Sequence, residues 1–206
     1  MHYTVSHQAN AKAHYSHSRN DADGIETVLH FDHDSWKSSR YVSQKHAVER
    51  FLALVLLLVA LPVLLVLAAL IRLTSRGPSI YRQIRVGLHG RPFLMYKLRT
   101  MRQDAEAGNG ATWALPHDPR VTFLGRLLRS SHLDEVPQLL NVARGEMSLI
   151  GPRPERPEFT HSLAREIPGY MHRHIVRPGI TGLAQVQLPP DSNLDSVRRK
   201  LVLDLE

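Results

Sequence analysis

The chain contains no cysteine among its 206 residues. Disulfide bonds, thiolate zinc sites and cysteine nucleophiles are therefore excluded, although a chain without cysteine is compatible with any compartment. Aromatic residues make up only 6% of the sequence, and neither an internal repeat nor a nucleic-acid-binding motif is present. Acidic residues are outnumbered, 19 against 26 lysines and arginines, which gives a net charge of +7. This excess indicates an anionic partner: nucleic acid, acidic lipid or a phosphorylated substrate.

Residues 1–45 lack the apolar periodicity of a folded segment. They are polar and rich in serine, asparagine and histidine, so they cannot bury enough apolar surface to offset the entropy of ordering. Their histidines could bind a metal, but the spacing is irregular, and a solvated tail is the better interpretation. The apolar segment that follows starts too late for a signal peptide and lacks a small-residue cleavage site. We predict a disordered, polar N-terminal tail.

Residues 51–71 carry no charged or polar side chain, and an arginine stands on each side of them. As an α-helix this run would be about 31 Å long, close to the hydrocarbon thickness of a bilayer, so a single spanning helix is the simplest interpretation. Pro62 lies at its middle, however, and would remove a backbone hydrogen bond and kink the helix. Both flanks are basic, so the positive-inside rule does not favour a crossing. We predict a re-entrant membrane helix over residues 46–75, broken at Pro62.

Residues 76–206 have the composition of a soluble domain. Apolar periodicity and turn residues predict strands over 79–85 and 91–98, a loop over 103–116, and helices over 121–129 and 135–143. The two strands would form a hairpin around Gly87 and Gly90, and Gly145 would end the last of these helices. The expected fold class is α/β, mostly helical with a short β-hairpin.

Two adjacent carboxylates, Asp134 and Glu135, precede Pro137. Proline is tolerated in the first turn of a helix because its missing N–H would be unpaired there. Asp134 is therefore expected near the N-cap, with Glu135 about one residue inside. Helix N-termini stabilise ionised carboxylates and phosphates alike. Taken alone, the Asp134–Glu135 pair indicates only a helix cap. Basic residues surround it, however, and the rigid Pro-Arg-Pro step at 152–154 follows it, and this combination suits chemistry on phosphates.

Three segments carry a resemblance to a known family. They are YRQIRVGLHGRPFLMYKLRTM at 81–101, DPRVTFLGRLLRSSHLDEVPQLLNVARGEMSLIGPRPE at 118–155 and RPGITGLAQV at 177–186. In this order, behind an apolar segment with a central proline, they resemble the bacterial sugar transferases, which are small monotopic phosphoglycosyl transferases. The resemblance covers roughly residues 46–205. It implies a monotopic catalytic domain on the cytoplasmic face of the bacterial inner membrane, in contact with its lipids.

The resemblance also implies a reaction. A sugar-1-phosphate would pass from a UDP-sugar to a polyprenyl (undecaprenyl) phosphate, with release of UMP, as the first membrane step of exopolysaccharide, capsule, O-antigen or glycoprotein glycan assembly. In the family the aspartate of the Asp-Glu pair attacks the phosphate nearer the sugar, so Asp134 is the expected nucleophile and an aspartyl-phosphosugar the expected intermediate. A carboxylate can divide one displacement at phosphorus into two. Glu135 is the expected ligand of Mg²⁺, which prefers oxygen donors and can bridge a diphosphate.

Cationic side chains should bind the phosphates, since the planar fork of arginine suits bidentate contact with them. Arg153 is the strongest candidate because Pro152 and Pro154 restrict the backbone on both sides, and the resemblance assigns this step to the nucleotide side of the substrate. The other candidates are Lys97, Arg99, Arg129 and Arg177. His132 could act as a general base, but we interpret it as a polar spacer, because an ionised Asp134 needs no deprotonation.

Two features depart from the family's pattern. Residues 187–191, Gln-Leu-Pro-Pro-Asp, replace an Asn-Gly-Arg-like step, and the sequence stops at residue 206 where relatives continue through a tyrosine-containing helix. A shortened C-terminus raises the alternative of a non-catalytic, membrane-tethered relative that acts as a partner subunit. A basic domain that binds nucleic acid or anionic lipid is a further alternative. Because the sequence contains no nucleic-acid-binding module, we expect no nucleic-acid partner. A homodimer is compatible with the sequence.

Overall fold

The computed structural model describes residues 40–105 and 118–206. Its first half contains a long helix and a hairpin: α1 (Arg40–Thr74), β1 (Ile80–Val86), a 3₁₀ turn (Leu88–Gly90) and β2 (Pro92–Leu98). The second half continues with α2 (Phe123–Ser130), a 3₁₀ turn (Leu133–Gln138), α3 (Leu139–Arg144), β3 (Ser148–Ile150), α4 (Pro157–Glu166), a 3₁₀ turn (Tyr170–Ile175), β4 (Gly179–Thr181), α5 (Leu183–Gln187) and α6 (Leu194–Leu205). Most of the predicted tail lies outside the described residues, but residues 40–45 belong to α1.

The predicted hairpin is confirmed. Strands β1 and β2 are antiparallel, with Tyr81 opposite Lys97 and Val86 opposite Pro92. His89 and Gly90 at the turn have φ angles of 55° and 73°, which lie in the left-handed region. Successive side chains of a strand point to opposite faces. Lys97 and the buried Leu98 therefore point to opposite faces at the end of β2.

Helix α1 packs on the domain through one face along much of its length. Ala53 and Ile71 are buried, and Leu57, Leu64 and Leu67 are partly buried against the same two clusters. The spacings of three, four and seven residues place these side chains on one helical stripe. The remaining large apolar side chains of the segment are exposed, among them Phe51, Leu58, Val59, Leu65 and Leu73. Within the described ranges, α1 alone is long and apolar enough to cross a membrane.

The break that the sequence predicts at Pro62 is not confirmed. Helix α1 runs from Arg40 to Thr74 as one element, with Pro62 inside it. Proline removes only one hydrogen bond, and a helix can continue past it when packing on either side holds the chain. Ala53 packs against β2 and α3, and Ile71 packs against β2 and α2. Both halves of α1 are thus fixed by the same domain.

The helix predicted around the carboxylate pair begins later than expected. Residues Leu133–Gln138 form a 3₁₀ turn that contains Pro137, and the α-helix begins only at Leu139. The first-turn position expected for Asp134 and Glu135 is therefore the first turn of the 3₁₀ segment, whose N-cap is His132. Gly145 ends α3 with a φ of 78°, as predicted. The helix predicted over 121–129 is α2, which Thr122 caps by accepting a hydrogen bond from the Gly125 N–H at 2.9 Å.

The α/β fold class is not confirmed, because the described residues are mostly helical. Beside the hairpin they contain one short parallel pair, in which Ser148 lies opposite Gly179 and Ile150 opposite Thr181. This pair fixes the start of the Pro-Arg-Pro step. The Gly179 N–H donates to the Pro152 carbonyl at 2.9 Å, and the Gly151 N–H donates to the Thr181 carbonyl at 2.9 Å. A Cβ on Gly179 would collide with the backbone of Gly151, so this close approach needs glycine.

Candidate active site

Glu135 lies at the centre of a charged group that comes from three parts of the fold. Its Oε1 accepts a hydrogen bond from Lys97 Nζ at 2.7 Å and another from Arg153 Nη2 at 2.8 Å. Lys97 comes from the end of β2, Glu135 from the 3₁₀ turn, and Arg153 from the segment that follows β3. The side chain of Glu135 is 13% exposed, whereas that of Arg153 is 44% exposed. The group is therefore buried at one side and open at the other.

The ionisation of Glu135 and Lys97 follows from this pairing. Burial alone would raise the pKa of Glu135, but the charges of Arg153 and Lys97 outweigh it and lower that pKa to about 2. Burial, reinforced by the charge of Arg153, lowers the pKa of Lys97 to about 8, although Glu135 opposes the shift. At neutral pH the group thus holds an ionised glutamate between two cations, and the charge of Lys97 is lost at moderately alkaline pH.

Asp134 is buried beside this group, with a residue exposure of 7%. Burial raises its pKa, and the neighbouring charge of Glu135 raises it further, while Lys97 and Arg129 act in the opposite direction. Two adjacent carboxylates therefore have their pKa values moved apart, one upward and one downward. Such opposite shifts are a feature of sites in which two like groups have different chemical roles.

The backbone bends at His132, and this bend turns Asp134 and Glu135 toward the interior. Its φ of 56° is in the left-handed region, which few residues other than glycine adopt. Its carbonyl accepts a hydrogen bond from the Glu135 N–H at 3.1 Å, which closes the first turn of the 3₁₀ segment. The His132 side chain is exposed. Backbone strain of this kind is often found beside functional residues.

The structure brings some of the predicted cations to the carboxylates and leaves others away from them. Arg129 lies near Asp134, and its Nε donates to Thr100 Oγ1 at 2.9 Å. Arg99 does not join the group: it is buried against the end of α1, where its Nη2 donates to the carbonyl and hydroxyl of Ser75 at 2.9 and 2.8 Å. The predicted contact of Arg99 with substrate phosphate stays a prediction; in this structure Arg99 binds Ser75, the residue that follows α1.

Arg177 also lies away from the carboxylates. It is close enough to Glu49 and Arg50 of α1 for their charges to act on it, and burial together with Arg50 lowers its pKa. Its place beside α1 follows from the parallel pairing of β3 with β4, since Arg177 lies two residues before β4. The role that the sequence suggested for it beside Arg153 stays a prediction.

Pro152 and Pro154 hold the backbone of Arg153 as the sequence predicts. Both are buried, and the Pro154 carbonyl accepts a hydrogen bond from Arg85 Nη1 at 3.0 Å. The carbonyl of Arg153 itself accepts from Arg173 Nη2 at 3.0 Å. The backbone is thus fixed on both sides of Arg153, and only its side chain extends into the open part of the site.

Two glutamines belong to the site, although the charge pattern gave no signal for them. Gln185 Oε1 accepts a hydrogen bond from Arg153 Nη1 at 2.9 Å. Gln138 is 2% exposed, and its Nε2 has no partner, yet it lines a small cavity together with Lys97 and Arg153. Uncharged amides cannot be recognised by charge, but both stand inside the segments that carry the resemblance, next to Pro137 and after Gly182.

The carboxylates also suit a divalent cation. Among residues 40–105 and 118–206, no three histidine or acidic side chains come together as a metal site of their own. Magnesium, however, is commonly held by one or two carboxylates together with phosphate oxygens and water. Glu135 is ionised, and its Oε2 has only a 3.5 Å contact with Arg153 Nη1 beyond the Oε1 contacts described above. This donor set fits a magnesium ion that is completed by the substrate.

The family model described as bacterial sugar transferase matches residues 40–206. The chain belongs to this family. The matched range includes α1 with Pro62 and every predicted site residue from Lys97 to Arg177.

Curated sugar transferases of several bacteria are similar to the chain. It is 50% identical over 139 residues to the proposed undecaprenyl-phosphate N-acetylgalactosaminyl 1-phosphate transferase of Bacillus subtilis (strain 168), which covers 68% of the chain and 77% of that protein. It is 44% identical to the UDP-N-acetylgalactosamine-undecaprenyl-phosphate N-acetylgalactosaminephosphotransferase of Aeromonas hydrophila, over 80% of the chain and 38% of the relative. For the UDP-glucose:undecaprenyl-phosphate glucose-1-phosphate transferase of Escherichia coli (strain K12), the identity is 38% over 92% of the chain and 41% of the relative.

The chain therefore spans less than half the length of the Aeromonas hydrophila and Escherichia coli sugar transferases. The names of the relatives differ in the sugar, N-acetylgalactosamine or glucose, and agree in undecaprenyl phosphate. The similarity consequently bears on the reaction class more than on the sugar.

Proposed function

We propose that this protein is a phosphoglycosyl transferase that moves a sugar-1-phosphate from a UDP-sugar to undecaprenyl phosphate and releases UMP. The named activities of its relatives support the reaction class. The observation that carries the proposal is the arrangement around Glu135, whose carboxylate binds Lys97 and Arg153 beside the buried Asp134. An anionic nucleophile next to fixed cations is what displacement at a diphosphate requires.

In the first step, the carboxylate of Asp134 attacks the phosphorus nearer the sugar. A bond forms between that phosphorus and an oxygen of Asp134, and the bond to the bridging oxygen breaks, so that UMP leaves with the electron pair. In the second step, an oxygen of undecaprenyl phosphate attacks the same phosphorus. The bond to Asp134 breaks, and its carboxylate is regenerated. The carboxylate form of Asp134 and the phosphate of the lipid are the attacking species, so neither step includes a proton transfer.

The cations have to offset the charge of two anionic reactants. Lys97 and Arg153 are held in place by Glu135, and Arg129 is oriented by Thr100. Arg153 is the most exposed of the group and is therefore positioned to bind the diphosphate. Fixed cations in a partly buried site stabilise developing negative charge more effectively than mobile water does.

Mg²⁺ is proposed as the cofactor, with Glu135 as its protein ligand. When bound, it would neutralise charge on the diphosphate and on the departing UMP. Glu135 then has two tasks, since it also holds Lys97 and Arg153 in position.

We propose further that the protein lies on the cytoplasmic face of the bacterial inner membrane with both flanks of the apolar segment on that face. Glu49 of α1 binds Ser148, and Ile71 packs against Leu98 and Leu128. A helix that crosses the bilayer separates its two ends by about 30 Å of hydrocarbon. Because α1 is a single unbroken helix that contacts one domain from Glu49 to Ile71, these contacts support an arrangement in which α1 lies along that domain and both of its flanks stay on the same face.

Single cysteines test this topology, because the natural chain has none. Ser43→Cys and Arg76→Cys place exposed thiols on either side of the apolar segment. An impermeant maleimide should label both in inverted inner-membrane vesicles and neither in intact spheroplasts. Labelling of one site from each side would instead establish a spanning helix.

Turnover tests the reaction itself. Purified protein in detergent is given undecaprenyl phosphate and a panel of UDP-sugars that includes UDP-N-acetylgalactosamine and UDP-glucose, with and without magnesium, and UMP is followed by chromatography. Release that needs the lipid, magnesium and Asp134 is expected for one or a few sugars. A folded protein that releases no UMP from any sugar would support the alternative of a non-catalytic partner subunit. Product analysis would also identify the sugar that is transferred.

A further inference from the structure

Each backbone carbonyl from residue 152 to residue 155 accepts a hydrogen bond. Backbone N–H groups of β4 and β1 donate to the first and the last of these carbonyls, at 2.9 Å each. Arginine side chains donate to the two between them: Arg173 Nη2 to the carbonyl of Arg153, and Arg85 Nη1 to that of Pro154, at 3.0 Å each. The position of Arg153 therefore depends on side chains that lie outside the group around Glu135.

Arg173 is itself held from two directions. Its Nη1 donates to the Tyr170 hydroxyl at 2.8 Å, and its Nη2 donates to Asp204 Oδ2 at 2.7 Å. The side chains of Arg173 and Asp204 are only 9% and 4% exposed. A buried guanidinium is costly without a counter-charge. Asp204, in the last turn of α6, is therefore what allows Arg173 to stay beside the carbonyl of Arg153.

The prolines alone do not place Arg153. They fix their own φ angles and restrict the residue before each of them, but they do not determine where the segment lies relative to α6 and β1. The hydrogen bonds to its carbonyls do that. Two bonds in series, from Asp204 to Arg173 and from Arg173 to the Arg153 carbonyl, thus connect α6 to the site.

The side chain of Arg153 carries this placement to the substrate. It extends from the fixed backbone to Glu135 and Gln185 and is 44% exposed. Bidentate contact between an arginine and a phosphate requires the guanidinium plane in one orientation. A small displacement of a group that positions a substrate can therefore cost much of its effect.

We propose that Arg173 and Asp204 are positioning residues for the transfer reaction, which act through the backbone of Arg153 on its binding of the donor diphosphate. The proposal rests on the function proposed above, because it assumes a nucleoside diphosphate-sugar at Arg153. Neither residue lies in the segments that carry the resemblance: Arg173 stands between the second and the third, and Asp204 follows the third.

Replacing both charges together tests this role. Removing only one of them would leave an unpaired charge in the interior, whereas apolar side chains in place of a buried ion pair are often neutral for stability. The test variant is therefore Arg173→Met combined with Asp204→Leu, in which the Arg153 carbonyl loses its arginine donor. Its kcat/KM for the UDP-sugar should fall by about 3- to 10-fold, the effect of one hydrogen bond.

The two substrates distinguish positioning from general damage. In the proposed two-step reaction, kcat/KM for the UDP-sugar reports the first step, and kcat/KM for undecaprenyl phosphate reports the second. The donor diphosphate takes part only in the first step. The paired replacement should therefore lower the first value and leave the second near that of the wild type. Equal falls in both would mean that Arg173 and Asp204 only support the fold, and would overturn the proposal.

A double-mutant cycle with Arg153→Lys tests the route of the effect. Residues that act through one another have non-additive effects. Lysine lacks the planar fork that Arg173 is proposed to orient. In the Arg153→Lys background, the paired replacement should therefore change kcat/KM for the UDP-sugar by about twofold or less. Full multiplication of the two separate effects would contradict an action through Arg153.

A matched control lies one turn earlier on α6. Lys200 binds Asp191 at 3.2 Å, and these side chains are 13% and 22% exposed. Lys200→Met combined with Asp191→Leu removes a comparable ion pair that includes no donor to the carbonyls of residues 152–155. This variant should keep kcat/KM for the UDP-sugar within about twofold of the wild type. A fall as large as that of the test variant would overturn the specific role of Arg173 and Asp204.

Calorimetric binding of UDP to the whole detergent-solubilised chain repeats the comparison without turnover, and thermal melting checks that each variant is folded. If the test variant does not fold, Arg173→Lys takes its place, since it keeps a charge beside Asp204 but has one nitrogen instead of a fork. Unchanged UDP affinity and unchanged kcat/KM in a folded variant would overturn this inference alone. A wild-type protein that neither binds UDP nor uses any UDP-sugar would overturn the proposed function and this inference with it.

Discussion

Glu49 and Glu135 are both buried glutamates that bind a lysine, but their surroundings differ. Glu49, on α1, is 8% exposed, and its two oxygens lie 2.9 and 2.8 Å from the Ser148 hydroxyl, which donates to them. Lys45 contacts both Ser148 and Glu49, at 2.9 and 3.0 Å. Each member of this cluster finds its partners within the protein. The cluster connects α1 to the start of β3.

Glu135 belongs to an open cluster. Its two cations meet the same oxygen, Asp134 stands next to it, and the exposed side of Arg153 faces outward. The closed cluster of Glu49 should therefore contribute to stability, and the open cluster of Glu135 to function. Burial and an ion pair alone do not distinguish the two; the distinguishing feature is whether the neighbouring charges remain available to a substrate.

The sharpest test of the open cluster is Asp134→Asn. Loss of the nucleophile should reduce UMP release by about 10³-fold or more. Because burial raises the pKa of Asp134, folding disfavours the charged form of this side chain relative to the unfolded chain. A neutral amide of the same size should therefore not lower the melting temperature. Radioactive UDP-sugar should also leave no label on the variant after acid quenching. Asp195→Asn serves as the active control. Radioactive label on the Asp134→Asn variant would assign the covalent step to another residue.

Replacing each glutamate by glutamine tests the comparison directly. Glu135→Gln should lower kcat/KM by roughly 100-fold, because it removes the proposed magnesium ligand and releases Lys97 and Arg153. Glu49→Gln should leave kcat/KM within about threefold of the wild type but lower the free energy of unfolding by about 1–2 kcal/mol. Turnover and denaturant unfolding of both variants are measured side by side. A reversal of the two phenotypes would contradict the assignment of function to one cluster and stability to the other.

A smaller effect, on KM for the UDP-sugar, is expected when Arg153 and Arg177 are each replaced by lysine. Arg153→Lys keeps the charge but loses the planar fork, so KM for the UDP-sugar should rise roughly tenfold. Arg177→Lys, at a residue that lies beside α1, should leave KM unchanged. Initial rates over a range of UDP-sugar concentrations give both values. An equal rise in KM for the two variants would return Arg177 to the substrate site.

The smallest expected effect is a shift in pH dependence. Burial lowers the pKa of Lys97 to about 8, so its positive charge is present below that pH and is lost above it. If this charge assists the reaction, kcat/KM should fall as the pH rises through about 8. Lys97→Arg retains a charge throughout this range and should remove the alkaline decline. A pH profile of kcat/KM that is identical in both proteins would exclude Lys97 as its cause.

Local sequence was sufficient for the elements whose formation depends on neighbouring residues. The hairpin from Ile80 to Leu98 and the end of α3 at Gly145 lie where alternation and glycine predict them. The α-helix after Asp134 begins later than predicted, since His132 adopts a left-handed conformation and the 3₁₀ turn accommodates Pro137 first. Nothing in the sequence distinguishes a 3₁₀ start from an α-helical start, because both tolerate proline.

For the binding residues, sequence identified chemical types and the fold selected among them. Lys97 and Arg99 are two residues apart and equally cationic, yet Lys97 meets Glu135 and Arg99 meets Ser75. The strand β2 ends between them, at Leu98. Beyond the end of a strand, side chains no longer alternate regularly between its two faces. The two-residue spacing of Lys97 and Arg99 therefore does not predict that their side chains point the same way. Gln185 carried no signal because its contact with Arg153 joins segments that are distant in sequence.

The sequence alone determined the apolar segment, the carboxylate pair, the rigid Pro-Arg-Pro step and, through their order, membership in a family. These features depend on composition and on near neighbours along the chain. Tertiary structure decided which cations reach Glu135, how the pKa values of Asp134 and Glu135 move apart, and where both ends of α1 attach. Burial and charge proximity vary over a few ångströms between residues far apart in sequence, so only the folded chain fixes them.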